Sequence, residues 1–379
     1  MKVIHVGLLN YKQGGPALST YLTIKGLREN GIDAYSLSCP LMKGDSLVGD
    51  VPQLFTKKPF IKLIGFEFIG GVRNLLDDCN PVDLIHIQGI WSSLPHYCAA
   101  YAFKHNIPYI IAPRGSLYPQ ALSISSWKKK LSMMIWQDKE IRRATCIQAT
   151  CKEELLYFRD LGYNNPVAII PNPIDCKELM NQSIIINTTF RFGYLGRLHP
   201  RKKIEKLIYA FANRKDYFKK CELLIIGSDI PEYEDFLRSE VKRLGLTNVI
   251  FTGFLQGEEK DKAIRSLSCL INPSDFENFG NVINEALVRG IPAIATKGSP
   301  WEVLEQHHCG WWIDNDQESI ERAMINAYEI TENERTQMGL NGKQLVNDEF
   351  SVGALGKKMK ILYEWILKGG VKPSFVYYD

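Results

Sequence analysis

At 379 residues the chain exceeds one ordinary core, and at about 150 residues per domain it predicts two domains. Hydrophobic residues at 45% and charged residues at 23% exclude the disordered, collagen-like and integral-membrane classes. The net charge of +4 divides into 20 Lys and Arg against 15 Asp and Glu over residues 1–180, which is +5 and leaves −1 for the remainder. So thin an excess excludes a nucleic-acid footprint and fits an anionic membrane surface better.

The opening MKVIHVGLLN is a buried-strand pattern without a signal cleavage site, so export is not expected. Strand patterns follow at 3–7, 34–38, 84–88, 109–112, 146–149 and 167–170, with helices at 17–29, 95–105, 127–143 and 153–161 between them. The apolar stretch 60–72 is broken by Lys62 and Glu67 and is shorter than the roughly 20 residues of a membrane span. After a less ordered linker near 175–188 the rhythm restarts with strands at 190–195, 223–227, 249–252, 269–272, 293–296 and 311–313. Helices at 204–213, 232–244, 260–266, 282–289 and 301–307 interleave with them. Such alternation predicts an α/β protein of two Rossmann-like βαβ domains, 1–180 and 181–379, with a last helix near 355–368 packing back on the first. Open sheets bind ligands at the carboxyl ends of their strands, so two facing domains place a site in the crevice between them. Nine cysteines at irregular positions, with no CxxC pair, fit a reducing cytosol.

The most informative run is Asn272-Pro-Ser-Asp-Phe-Glu-Asn-Phe-Gly-Asn281, passing from a strand through a loop into a helix that carries Glu285. Backbone N–H groups of Phe279, Gly280 and Asn281 open that helix, where unpaired donors favour a phosphate. Glu285 sits about one turn further in, where a carboxylate accepts hydrogen bonds from a ribose. An ordinary βα loop with solvated Glu277 and Glu285 is the structural alternative. A second cluster, Gly193-Tyr-Leu-Gly-Arg-Leu-His-Pro-Arg-Lys202, sets Arg197 and Lys202 beside a Gly-rich strand end. Two cations there suit a departing pyrophosphate, against the alternative of an exposed basic loop. Gly14-Gly15 before the first helix lets backbone approach a phosphate, or is a plain turn.

Other residues divide in the same way. His86 and Trp91, at the end of the 84–88 strand, could touch an acceptor sugar, and a structural histidine reads equally well. Trp127-Lys-Lys-Lys-Leu-Ser-Met-Met-Ile-Trp136 suits either a helix at an anionic lipid surface or one with a solvated face. Asp314-Asn-Asp316 spells a DxD, but a helix cap explains it, and adjacent His307 and His308 make a poor zinc pair. No metal site is expected.

These clusters, in this order, resemble the family 4 glycosyltransferases with the two-lobed GT-B fold. The likeness rests on Gly14-Gly15, on Gly196-Arg197-Leu198 with Lys202, and on Glu277 with Glu285-Ala286. It implies a donor diphosphate held by Arg197 and Lys202, a ribose on Glu285 and the transferred sugar on Glu277. It further implies retention of configuration, no cofactor, and a base pocket lined by Gly227 and Phe254, with Gly15 also at the donor. The chain departs from the family pattern at Asn172-Pro173, where Asn-Gly is frequent, and at Lys203 and Asn278, where Gly is frequent. Arg114 takes the place of a common histidine, and a guanidinium binds phosphate but cannot act as a general base.

This variant resembles members acting in bacterial surface-polysaccharide assembly. The expectation is therefore a cytoplasmic transferase, peripheral on the inner face of the membrane. It moves a sugar from a nucleotide diphosphate donor, UDP by family frequency, to a saccharide acceptor carried on lipid. A sugar-nucleotide epimerase or hydrolase of the same fold, or a non-catalytic sugar-nucleotide-binding protein, are the alternatives.

Overall fold

The computed structural model describes residues 1–7, 9–10, 14–63, 66–185 and 188–378. Expectations touching Leu8, residues 64–65 and residues 186–187 lie outside these. The first strands are β1 (Lys2–Val6), β2 (Asp33–Ser38), β3 (Gln53–Phe55), β4 (Leu84–Gln88), β5 (Tyr109–Ala112), β6 (Cys146–Ala149) and β7 (Val167–Ile169). Then come β8 (Phe190–Leu195), β9 (Cys221–Ile226), β10 (Val249–Gly253), β11 (Cys269–Asn272), β12 (Ala293–Thr296) and β13 (Gly310–Ile313), before a return in β14 (Val376–Tyr377). The helices that matter below are α1 (Gly15–Glu29), α2 (Ile204–Asn213), α3 (Gly257–Arg265), α4 (Asn281–Leu287) and α5 (Val352–Lys368).

The chain divides into two compact units, Met1–Pro173 with Ser351–Asp379, and Ile174–Phe350. This differs from a division at 180. Ile174 and Cys176 already pack into the core of the second unit, and the Ile174 N–H donates to the Phe350 carbonyl at 2.9 Å.

In the first unit the sheet order is β14-β7-β6-β5-β4-β1-β2-β3, parallel except for β14. Near-continuous apolar strands such as Leu84-Ile85-His86-Ile87 are what a sheet covered on both faces requires. Ile4, Ile85 and Ile87 pack on one face with Cys98 and Ala102, while Val3, Leu84 and Ile110 pack on the other beneath α1 and α5. The stretch 127–143 runs as Ser126–Ser132, a π-helical turn at Met133–Gln137 and Asp138–Arg143, rather than as one regular helix.

In the second unit the order is β10-β9-β8-β11-β12-β13, all parallel. The chain moves outward from β8 through β9 to β10, then crosses back to β11 and moves the other way. The order therefore reverses between β8 and β11. At such a switch point the two βα loops diverge and leave a crevice at the strands' carboxyl ends. Those ends are Gly196-Arg197 and Pro273-Ser274, the two clusters singled out in the sequence.

Helices α1 and α5 cross at two glycines. A Cβ on Gly356 would stand 2.4 Å from the Gly26 carbonyl oxygen, and one on Gly26 would stand 2.5 Å from that of Val352. Gly353, in the same helix, has open space around it. Gly356→Ala is therefore expected to lower stability in urea unfolding by about 1–3 kcal/mol through overpacking. Gly353→Ala should be neutral or stabilising by up to about 1 kcal/mol, since alanine favours helix.

Candidate functional site

Crowding at the reversal is severe enough to demand glycine. Gly227, with φ 143°, follows β9, and a Cβ there would lie 1.8 Å from the Gly196 oxygen. Gly298, after β12, would clash at 2.4 Å with the carbonyls of both Ser274 and Asp275. The loop after β11 is thereby tied to the end of β12, with the Glu277 N–H donating to the Gly298 oxygen at 2.7 Å and Thr296 Oγ1 to the Ser274 oxygen at 2.6 Å. Sequence reasoning missed Gly298, although a Gly-Ser-Pro one residue past a strand is a turn signal.

On the other side of the switch, the buried Tyr194 hydroxyl donates to the Arg197 carbonyl at 2.8 Å and fixes the backbone there. A one-turn helix, Pro200–Lys202, follows, capped by His199 Nδ1, which accepts from the Arg201 N–H at 3.2 Å. It ends at Lys203 with φ 52°, a left-handed position that accounts for the glycine usual in the family and precedes α2.

This turn aims Lys202 at Glu277. Their side chains form an ion pair that is only 13% and 11% exposed. Burial lowers the Lys202 pKa below that of an ordinary lysine, and the Glu277 carboxylate partly offsets the shift. Ser274 Oγ lies 3.0 Å from Glu277 Oε1 and 2.7 Å from Asn272 Oδ1, so its one proton serves one of two acceptors. Arg197 differs: it is 61% exposed, and its nearest carboxylate, Asp229, stands at 3.6 Å. A preformed, water-shielded pair thus sits near an exposed cation that is loosely paired and open to an incoming anion.

Other expected donor residues fall nearby with different surroundings. Glu285, on α4, is bonded by Lys260 of α3 at 2.5 Å, so a ribose hydroxyl would have to share or displace that lysine. The partner lies 25 positions away in another helix, where local spacing gives no signal. The Phe279 side chain is buried against Trp301 and Phe350, its carbonyl accepts from Trp301 Nε1 at 2.5 Å, and only its N–H remains for a ligand. Among the described residues the N–H groups of Phe279 and Gly280 meet no acceptor, and Gly280, at φ 86°, leads into α4 at Asn281. Phe254 projects beyond β10 with 69% exposure. Lys203 and Lys206 both pair with Asp275, at 3.4 and 3.2 Å. Asp316 caps the helix Gln317–Glu329 through the Ser319 N–H at 2.8 Å, and Asp314 pairs with Lys297 at 2.8 Å.

In the first unit His86 is a correction. It is fully buried on the sheet face covered by α5, and its Nδ1 is 2.7 Å from the Tyr363 hydroxyl. That hydroxyl is 3.1 Å from His5 Nε2, and His5 Nδ1 is 3.2 Å from Gln88 Nε2. Gln88 Oε1 accepts from Arg114 Nε at 2.9 Å and Nη2 at 2.6 Å. One assignment of protons satisfies every link: Arg114 donates to Gln88, Gln88 to His5, His5 to Tyr363, and Tyr363 to His86. His86 Nε2 then faces the Gln148 side chain without reaching full hydrogen-bond geometry. Both imidazoles are neutral, because burial and then nearby positive charge lower His5 to about 3 and His86 well below its usual value.

Arg114 is held on all sides, its Nη1 donating to Ser19 Oγ and Asn172 Oδ1 at 2.8 Å each. Burial lowers it to about 10, so it stays charged at neutral pH. Trp91 is half-buried, its indole N–H donating to the Ser116 carbonyl at 3.4 Å with the Lys129 ammonium over the ring. Gly15 opens α1 directly after Gly14, at φ 62°.

Two Rossmann-like units, each with its switch point, define the GT-B class of fold. Residues 175–345 match the model of the glycosyl transferases group 1, and residues 13–178 match that of glycosyltransferase family 4. The chain belongs to this family of glycosyltransferases. It is 28% identical over 155 residues to a GDP-mannose-dependent α-mannosyltransferase of Mycolicibacterium smegmatis, a match covering 41% of this chain and 38% of that protein. A capsular polysaccharide biosynthesis glycosyltransferase, CapM, of Staphylococcus aureus is 26% identical over 57% of each chain. Among solved structures, Anabaena HepE in complex with UDP and glucose superimposes with a TM-score of 0.72, at 18% identity over 96% of this chain and 99% of that one.

The buried pair has a direct consequence for stability. Glu277→Ala strands the Lys202 ammonium and is expected to lower stability by about 3–5 kcal/mol. The double variant Lys202→Met with Glu277→Leu should recover most of that loss in urea unfolding, since neither charge is then left unpaired.

Proposed function

We propose that the chain is a retaining glycosyltransferase that moves a sugar from a nucleotide diphosphate donor to a saccharide acceptor carried on lipid. Its place would be surface-polysaccharide synthesis, with peripheral contact at an anionic membrane. The observation that carries the reading is the switch point of the second unit, where Arg197, Lys202, Glu277 and Glu285 converge on a loop with two unengaged N–H groups. On this reading Arg197 and Lys202 take the diphosphate, Glu285 the ribose and Glu277 the transferred sugar. Gly227 and Phe254 flank the base.

The acceptor oxygen forms its bond to the anomeric carbon on the face from which the diphosphate leaves. The carbon–phosphate oxygen bond breaks, and the acceptor proton passes to the departing phosphate oxygen. Charge that a divalent metal supplies in other transferases comes here from the two cations. A UDP-sugar is the first donor to test, because HepE was solved with UDP; GDP-mannose is the second, from the mycobacterial relative's name. Acceptor-side contacts fall to Trp91 and Arg114, without His86.

Incubating the purified chain with UDP-, GDP- and ADP-sugars, with and without acceptor, and following nucleotide release by mass spectrometry tests this directly. Release should depend on acceptor and continue in EDTA. Equal release without acceptor would indicate a hydrolase and sink the proposal. Lys202→Ala should reduce turnover about ten- to a hundredfold, the value of one charge-assisted contact of about 1.5–3 kcal/mol.

Since burial lowers the Lys202 pKa, turnover should fall on the alkaline side with an apparent pKa below the 10.5 of an ordinary lysine. The charge on the diphosphate contact is present below that pH and lost above it. A Lys202→Arg variant that keeps turnover should lack this limb; an unchanged limb would assign it to another group.

A further inference from the structure

One surface feature of the first unit takes no part in the donor chemistry. Beside the helical segment that begins at Ser126 lies an open groove of about 490 Å³, lined by Phe66, Phe68, Trp91, Leu131 and Trp136, with Lys128 and Lys129 along it. That volume is within the roughly 300–1,000 Å³ of small-molecule sites. Its floor is aromatic: Phe66 meets Phe68 and Trp136 edge-on, each at 5.3 Å, and His96 at 5.7 Å. Among the described lining residues there is no carboxylate. The Lys129 ammonium lies over the Trp91 ring and donates to the Ala121 carbonyl, which leaves it donors to spare. On the same segment Trp127, Met134 and Ile135 are exposed, where a segment packed only for its own stability would turn them inward.

We propose that this groove seats one hydrocarbon chain of a phosphorylated lipid, with the lipid phosphate between Lys128 and Lys129. The pairing follows from complementarity: aromatic walls remove methylene groups from water, and two lysines without a competing carboxylate in the lining meet a phosphate. This rests on the lipid-linked acceptor proposed above only in making that lipid the carrier of the acceptor sugar. A fluid bilayer surface would need only the exposed side chains; a groove with an aromatic floor selects an individual chain.

Dodecyl phosphate below its micelle concentration is the probe, titrated into the full chain with tryptophan fluorescence as readout. Binding should saturate and be at least about tenfold tighter than for inorganic phosphate or dodecyl maltoside, which carry only one of the two features each. Lys128→Gln, at an exposed position, with Lys129→Gln, at a half-buried one, and separately Phe68→Ser, should each weaken it about tenfold. Equal binding of inorganic phosphate, equal binding of the maltoside, or wild-type affinity in the lysine variant would each overturn the proposal.

Turnover with a lipid-free acceptor separates this from the transferase reading, and the lysine variant should retain it. A protein that binds dodecyl phosphate yet transfers no sugar would sink the transferase reading and leave the groove standing. One that transfers sugar yet ignores dodecyl phosphate would sink the groove alone.

Discussion

Backbone crowding where the strand order reverses is the constraint on which the second unit depends. Gly227 abuts the Gly196 carbonyl, and Gly298 abuts those of Ser274 and Asp275, at separations that no Cβ survives. Once these backbones touch, the turn Pro200–Lys202 has one place to go, and Lys202 arrives at Glu277 without a long flexible search. Side-chain entropy that an exposed lysine would lose on meeting a phosphate has been lost here already on folding.

The same end of the sheet balances its own charge. Glu277 has Lys202, Glu285 has Lys260, and Asp275 has Lys203 and Lys206. A highly charged ligand therefore enters by exchanging partners with groups already in position. Arg197 is the exception, more exposed and more loosely held, and so the group with most freedom to follow a ligand.

Much of this was legible in the sequence where the signal was local. Strands 84–88, 109–112, 146–149, 190–195, 269–272 and 293–296 coincide with those observed, since each is a buried, β-branched or apolar run ended by a polar or turn residue. The clusters around Arg197 and Glu277 were legible for the same reason, as strand ends before helices. Short or polar elements were not: Gln53–Phe55, the pair Ile61–Leu63 with Phe66–Phe68, and the antiparallel Val376–Tyr377 carry too few residues to show a period. Nor were pairings set by distant chain. His86 read equally as an acceptor contact or as a structural histidine, and nothing near it in sequence announces Tyr363, whose helix covers it and decides between them. Lys260 with Glu285 is the same case.

The hydroxyl of Tyr363 has a consequence for how the protein is made. Residues 174–350 form a contiguous unit, whereas the first unit is completed by 351–379. As the chain leaves the ribosome, the second unit can close while the first still lacks α5 and β14. Through that interval His5 and His86 have no hydroxyl between them, and Ile24, Leu27 and Gly26 on α1 have no helix across them. The orientation of Arg114, four hydrogen bonds from His86, becomes final only when residues beyond 350 arrive.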